Sequence, residues 1–309
     1  MSQEVKKKRR KRGRGLFIVV LLVLPIAFLL FLLIDVYRRA DTAFIEMYEP
    51  IGEEVPDLRS AEGLPSLELG EDPFSVLILG LDEGRSDSMM VATVNPNLNT
   101  TYLLSIPRDT MVDIPGRWTT RINHAFAYGG AGLAIQTVQN LLNIPIDYHV
   151  SIYMGQFHSL VDAFGGVRVY NDTVAFSMGG YDFPLGPVNL TGSAAYYYVR
   201  MRMDDPRGDF GRQERQRDVL VAMVNELAGV TALTRYQQIL DSVGDHMRTN
   251  VTLNEMLTMS IGYHSALRNI THLTLTAPGS MINGMFLIPI PEHQRLEMSD
   301  RLRAHLELN

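Results

Sequence analysis

FSVLILGL (Phe74–Leu81) and TTYLLSIPRD (Thr100–Asp109) are the two stretches that decide how this chain folds. Each is a short apolar run closed by turn-forming residues and lacking polar alternation, the pattern of strands buried on both faces. MMVATVNP (89–96) reads as a third strand between them. Helical spacing follows in AGLAIQTVQNLLNI (Ala131–Ile144), then a strand at DYHVSIYM, a helix at GQFHSLVDAF and a strand at GVRVY. Residues 171–190 read as a polar, glycine-rich excursion. Beyond it, TGSAAYYYVRMR is a helix capped by Thr191, and RQERQRDVLVAMVNELAG is a longer one ending at Gly229. Further helices, the strand-like HLTLTAP and a terminal amphipathic helix close the chain. This alternation predicts an α/β domain over residues 74–309, a central mixed β-sheet flanked by helices.

Upstream, KKKRRKRGR (Lys6–Arg14) precedes nineteen uncharged residues, Leu16–Ile34. At about 1.5 Å per residue that run spans roughly the 30 Å hydrocarbon core of a bilayer. It ends in IDVYRRAD, with no small-residue cleavage site, so it reads as one uncleaved transmembrane signal anchor. The basic cluster places residues 1–15 in the cytoplasm and everything after the anchor outside the cell membrane. Residues 35–73 hold a short amphipathic stretch, DVYRRADTAFIEMYEPI, and then an acidic, Pro- and Gly-punctuated segment, EEVPDLRSAEGLPSLELGEDP, with neither helical nor strand period over a useful length, and read as stalk and linker.

The chain has no cysteine, which removes disulfides and a thiolate nucleophile. Eight of its 28 basic residues lie between Lys6 and Arg14 and one of its 34 acids, Glu4, precedes the anchor. The external part therefore carries 28 − 8 = 20 cations against 34 − 1 = 33 anions, a net of −13. That field argues against nucleic acid as a partner. All four lysines sit in the basic tail, so outside it every basic side chain except histidine is arginine. Arginine keeps its charge in alkaline surroundings, where lysine near its pKa of about 10.4 loses it. Biased genomic base composition gives the same pattern.

YVRMRMDDPRGDFGRQERQR (Tyr198–Arg217) packs six arginines into twenty residues. Guanidinium forks match phosphate oxygens in pairs of hydrogen bonds, and the interleaved acids suit arginines held in fixed orientations. A surface helix laced with ion pairs is the plainer reading of the same residues. Hydrolase signatures (G-x-S-x-G, S-x-x-K, H-E-x-x-H) are missing, the eight histidines lack metal-ligand spacing, and GGAG (Gly129–Gly132) lacks the G-K-[ST] of a phosphate loop. What remains is a set of acids and arginines near strand ends. GLDEGRSDSMM puts Asp82 and Asp87 on one loop around Arg85, and SIPRD puts Arg108 and Asp109 at another strand end. Two such carboxylates suit a Mg²⁺ that keeps several waters and shares phosphate oxygens. With the arginine tract outside a membrane, they point to chemistry on a phosphorylated lipid.

GLD…RSDSMM, SIPRD, TRINHAFAYGG (Thr120–Gly130), FHSLVDAFGGVRV, LTGSAAYYYVRMR and GDFGRQERQRDVL resemble, in kind and order, the blocks of LytR-CpsA-Psr proteins. The resemblance covers about Phe74 to Leu227, half of the chain. It implies a transferase that moves an anionic glycopolymer, wall teichoic acid or a capsular polysaccharide, from an undecaprenyl-pyrophosphate carrier to peptidoglycan. By the same resemblance Asp82 and Asp87 are the Mg²⁺-associated acids. Arg85, Arg108, Arg200, Arg202, Arg212 and Gln216 contact the pyrophosphate, and Arg215 lies in the same signature. Asp209 matches an acid in that pocket, and either it or Asp87 takes the proton of the acceptor hydroxyl. Arg121 stands where a lysine is common. The isoprenoid is expected in an apolar groove between sheet and helices, with its pyrophosphate among the arginines, Arg108 included, that neutralise the developing charge. Hydrolysis of the same lipid, capture without turnover and transcriptional attenuation are the competing readings.

Overall fold

The computed structural model describes residues 30–227 and 230–308. It divides into two compact units, Met1–Thr42 and Ala43–Asn309. In the first, residues 30–42 are helical, and Arg39 pairs with Asp35 one turn back (3.0 Å). Apart from residues 30–34, the expected transmembrane run falls outside the described residues. Among the described residues, no helix is long and apolar enough to cross a membrane.

The second unit is built on a six-stranded sheet. Its strands are β1 (Phe74–Asp82), β2 (Arg85–Asn95), β3 (Thr100–Ser105), β4 (Tyr148–Tyr153), β5 (Met247–Thr249) and β6 (Ile270–Thr274). Their order across the sheet is β5-β4-β1-β2-β3-β6. β1–β4 and β3–β6 are parallel and the other pairs antiparallel, so the expected mixed sheet is present. The apolar runs form its centre because helices cover both faces. Leu77, Leu79, Val91 and Leu104 point to one face, where they pack with Ala134, Ile135 and Val138 of α1 (His124–Leu142). Met90, Ala92 and Leu103 point to the other, against Leu220 and Val221. Two further helices bear on the site: α2 (Gly192–Tyr198), capped by the Thr191 hydroxyl as its sequence predicts, and α3 (Asp209–Leu227). Gly129 and Gly130 leave helical geometry and kink α1, so its second half starts at Ala131.

The C-terminal helix α4 (Glu292–His305) docks through His305, whose ring nitrogens meet the hydroxyls of Thr93 (2.8 Å) and Thr100 (2.9 Å). Burial pushes that imidazole down to about 4, so it is neutral between the two threonines.

Two expectations change. Residues 43–73, read as stalk and linker, belong to the second unit, which begins at Ala43 rather than Phe74. Arg59 donates to Asp147 (Nη2–Oδ2 3.1 Å), Glu49 pairs its amide with Thr249 (2.8 Å), and the Tyr263 hydroxyl bonds the Asp72 carbonyl (2.6 Å). Apolar packing adds to these bonds: Ala43 and Met47 are buried, Phe44, Leu67 and Leu69 pack on one part of the core, and Ile51, Val55 and Leu64 on another. The glycine-rich excursion also carries structure: Gly186–Leu190 pairs with Val167–Asn171, and Phe176–Met178 with Tyr181–Phe183.

Candidate active site

Asp82 and Asp87 do not share a loop. Asp82 ends β1, Arg85 begins β2, and Glu83 and Gly84, both at positive φ (47° and 77°), make the two-residue turn between them. This is the hairpin geometry in which both central residues are left-handed. Above the turn the register shifts: Leu81 faces Ser86, but Gly80 faces Ser88. Asp87 is the extra residue of a β-bulge, left without a cross-strand partner, and a bulge re-aims the side chain it carries. Gly80 is required at the same place, since a Cβ there would stand 2.9 Å from Ser88 Cβ.

The two acids line a cleft of about 190 Å³ with Ser88, Arg108, Met154, Arg200, Arg202, Arg212 and Gln216. Arg108 follows β3 and donates to Asp87 Oδ2 (2.9 Å), while the Asn123 amide reaches Oδ1 (3.4 Å). Arg200, just past α2, donates to Asp82 Oδ2 (2.6 Å) and lies 4.7 Å from the ring centre of Tyr196. Arg212, on the first turns of α3 and only 8% exposed, donates to the Asp87 carbonyl (3.1 Å) and pairs with Asp209 (2.9 Å). Four guanidiniums line the cleft with two carboxylates, and with Asp209 on Arg212 counted the local balance is 4 − 3 = +1. Burial, with the Arg108 charge adding to it, holds the Arg212 guanidinium below its ordinary pKa despite Asp209. A cationic excess at a partly desolvated guanidinium is relieved by a bound anion. Arg108 Nε, Asn123 Oδ1 and Gln216 Oε1 are buried there without a hydrogen bond.

Three residues singled out from the sequence lie elsewhere. Arg215 is buried away from the cleft, where its donors hold Tyr198 O (3.2 Å), Met201 O (2.6 Å) and Asp205 Oδ2 (2.6 Å). It fixes the loop that presents Arg200 and Arg202. Asp209 spends Oδ1 on Arg212 and Oδ2 on Gln213, outside the cleft lining. Arg85 is exposed at the hairpin turn. Arg121 stands at the rim on the β3 side, paired with Asp109 (3.3 Å), which faces Arg108 (3.8 Å). Asn123 and Met154 were not legible as site residues, because nothing local in sequence ties them to Asp87, and Ser88, though next to Asp87, carries no charge that marks it.

Ser88, Met154 and Gln216 also line a second, apolar space between sheet and helices, with Ile78, Met90, Phe157, Val199 and Leu220. It holds about 30 Å³, roughly one water's share of liquid volume, so a chain entering there must displace side chains. A far larger cleft, about 980 Å³, lies beneath residues 48–67, but its one guanidinium, Arg59, is spent on Asp147 among the acids Glu53, Asp57 and Glu255. Volume alone does not make it the anion site.

For Mg²⁺, Asp82 and Asp87 offer two carboxylates beside a phosphate-sized cationic cleft. That donor set fits an ion that keeps its waters and takes its remaining ligands from the substrate. Among the described residues, no group of three or more His, Cys, Asp or Glu forms a protein-only metal cage.

The mixed sheet thus carries at one edge a cleft of four arginines and two acids next to an apolar space. The chain belongs to the LytR_cpsA_psr family, whose model matches residues 37–304. It is 45% identical over 247 residues to the polyisoprenyl-teichoic acid–peptidoglycan teichoic acid transferase TagU of Halalkalibacterium halodurans, covering 77% of this chain and 81% of that protein. It is 41% identical to the Bacillus subtilis protein of the same name, over 77% of this chain and 79% of that one. The fold matches the crystal structure of B. subtilis TagU (TM-score 0.64, 35% identity, 76% of this chain and 97% of that one). It also matches TagT bound to LIIa-WTA (TM-score 0.68, 28% identity, 79% and 94%).

Proposed function

We propose that this protein transfers an anionic glycopolymer of the teichoic acid type from an undecaprenyl-pyrophosphate carrier to peptidoglycan in cell-wall assembly. The observation that carries the reading is the cleft itself, with Arg108, Arg200, Arg202 and Arg212 around Asp82 and Asp87 at the mouth of an apolar space. The names of its TagU relatives supply the substrate class.

The lipid chain enters along Met154, Met90 and Leu220, and the pyrophosphate lies among the four guanidiniums. Their paired donors balance the charge that collects on the leaving lipid phosphate as its bond to the transferred phosphorus breaks, which is mainly electrostatic work. Arg212, tied to Asp209 and to the Asp87 carbonyl, is preorganised for this. Asp82 does the same for Arg200. Of the two acids considered for the acceptor hydroxyl's proton, both are held by donors, Asp87 by Arg108 and Asn123 and Asp209 by Arg212 and Gln213, but only Asp87 lines the cleft. Mg²⁺, when held by Asp82 and Asp87, supplies further neutralisation of the pyrophosphate.

Transfer of a labelled polyprenyl-pyrophosphate glycan to peptidoglycan tests the reading. Release of free glycan phosphate without transfer would instead make this a hydrolase. Arg200→Lys and Arg212→Lys keep the charge and lose the planar fork. Each is expected to weaken lipid-pyrophosphate binding about tenfold, the loss of one charge-assisted hydrogen bond of about 1.4 kcal/mol. Parent-like binding by both lysine variants would reduce the arginines to point charges.

The same reading places the protein in the cell membrane as a single-pass protein, residues 1–15 cytoplasmic and the catalytic unit outside. A reporter fused after Asn309 is expected to be active only on the outer side. Activity on the cytoplasmic side would reverse the topology.

A further inference from the structure

Trp118 is the only tryptophan of the chain and stands 59% exposed just before the strand Thr119–Arg121, in the hairpin that follows Arg108. Its ring lies 5.7 Å from that of Tyr128 on α1 and is inclined 56° to it, Tyr128 is half-buried with one side on the core, and the Arg117 guanidinium lies 5.7 Å from the same tyrosine. A second hairpin, Ser280–Ile282 with Met285–Leu287, packs alongside. The Phe286 carbonyl accepts from Arg121 (3.1 Å) and the Met285 sulfur from Thr120 (3.5 Å). The Phe286 ring remains 39% exposed. A large indole kept in water on a hairpin tip contributes little to the fold, and exposed aromatic clusters of this kind mark interaction sites. Flat rings flanked by a guanidinium and backbone polar groups suit the apolar faces and hydroxyl rims of sugar rings.

The fold says which sugar comes here. Along the sheet edge that carries the site, the strand ends run Met154 (after β4), Asp82 (β1), Asp87 (β2) and Arg108 (after β3). Met154 and Arg108 therefore flank the two acids, three strand spacings or about 14 Å apart. The apolar space is lined from β4, β1 and β2 and by no residue of β3 or of the turn after it, so the leaving lipid phosphate points away from Arg108. In phosphoryl transfer the attacking and leaving oxygens lie in line on opposite sides of the phosphorus. The attacking hydroxyl must then arrive from the Arg108 side, where Asp109 and Arg121 continue the wall toward the hairpin. Trp118 is three residues from Arg121, about 10 Å along the strand.

Resting on the transferase reading, we infer that Trp118 and Tyr128 form a stacking platform on which the acceptor glycan strand of peptidoglycan lies while its hydroxyl reaches the cleft. The platform takes neutral N-acetylhexosamine rings, and the anionic donor stays with the arginines.

Because Trp118 is the sole tryptophan, its emission reports on the platform directly. The full-length protein in detergent, with no lipid donor, is titrated with a short soluble oligomer of β-linked N-acetylhexosamines. A saturable change in emission is expected, with affinity about tenfold weaker in Tyr128→Ala, the scale of one lost ring contact. In the transfer assay Trp118→Ala is expected to raise the KM for soluble acceptor glycan about tenfold while leaving kcat and the donor KM at parent values, and Trp118→Phe to recover most of it. Trp118 is exposed, so alanine there spares the core, and circular dichroism verifies the fold. A transferring parent whose emission ignores the oligomer, or a Trp118→Ala protein with parent acceptor KM, would overturn the platform. A KM increase confined to the donor would move these sugars to the donor and overturn it equally. A parent that shows the emission change but transfers to no acceptor would sink the transferase reading and leave the glycan site standing.

Discussion

Transfer by the Asp87→Asn protein is expected to fall at least about 100-fold, close to 2.7 kcal/mol in the barrier. Asp87 is the bulge residue, and its carboxylate faces only donors: Arg108 Nη1 at 2.9 Å and the Asn123 amide at 3.4 Å. An asparagine there presents an NH₂ where an acceptor is needed, releases Arg108 from its orientation and halves the acidic charge available to Mg²⁺. The turn itself is made by Glu83 and Gly84, so the substitution leaves the hairpin intact. Lipid-pyrophosphate binding is expected to fall less than turnover, because charge on the leaving group grows toward the transition state. The measurement is transfer by parent, Asp82→Asn and Asp87→Asn across a Mg²⁺ titration with a chelator control. Asn variants within about threefold of the parent, a difference of about 0.65 kcal/mol, would make the acids mere scaffolding. Chelator-resistant transfer would leave an arginine-only mechanism.

The second large effect is on stability. Arg215 and Asp205 form a buried pair whose side chains are 3% and 0% exposed. Arg215→Met leaves Asp205 short of its main cation and strips the carbonyls of Tyr198 and Met201 of their donors. Removing one member of a buried pair costs about 3–5 kcal/mol. Arg207, which also reaches Asp205 (3.4 Å), holds the loss toward the lower figure. Burial by itself would raise the Asp205 pKa. Burial is the largest single influence, but the hydrogen bonds from Arg215 and Arg207 and the Arg215 charge together outweigh it, and the net shift is downward. A carboxyl depressed in the folded state lends stability above its unfolded pKa of about 3.9 and loses it as pH falls through the folded value. The gap between parent and Arg215→Met in urea unfolding should therefore be full at neutral pH and narrow in acid below about pH 4. Replacing both partners with apolar residues, Arg215→Met with Asp205→Leu, should recover much of the loss. A gap under about 1 kcal/mol at neutral pH, the value of an exposed pair, would mean that the pair is not desolvated. Since this pair fixes the loop bearing Arg200 and Arg202, lipid binding should weaken along with stability.

What sequence alone could determine here was whatever is written in local pattern. Phe74–Leu81 and Thr100–Ser105 had to be central strands because they are apolar on both faces. Thr191 had to cap a helix because its hydroxyl has an amide three residues on to bond. Arg108, Arg200, Arg202 and Arg212 had to meet an anion or each other's acids, since so many permanent cations cannot be left unpaired near a core. Tertiary structure decided the rest. It made Asp87 a bulge residue, because register depends on the partner strand and not on the strand itself. It separated Arg212, whose guanidinium reaches the cleft, from Arg215, three residues along the same helix and turned inward to a buried carboxylate. It drew residues 43–73 onto the domain through scattered contacts, the buried Met47 and the side chains of Arg59 and Tyr263 among them, which the Pro- and Gly-broken sequence after Met47 does not announce. And it set Trp118 on the β3 side of the cleft, opposite the apolar space, a relation created only when distant strands are laid side by side.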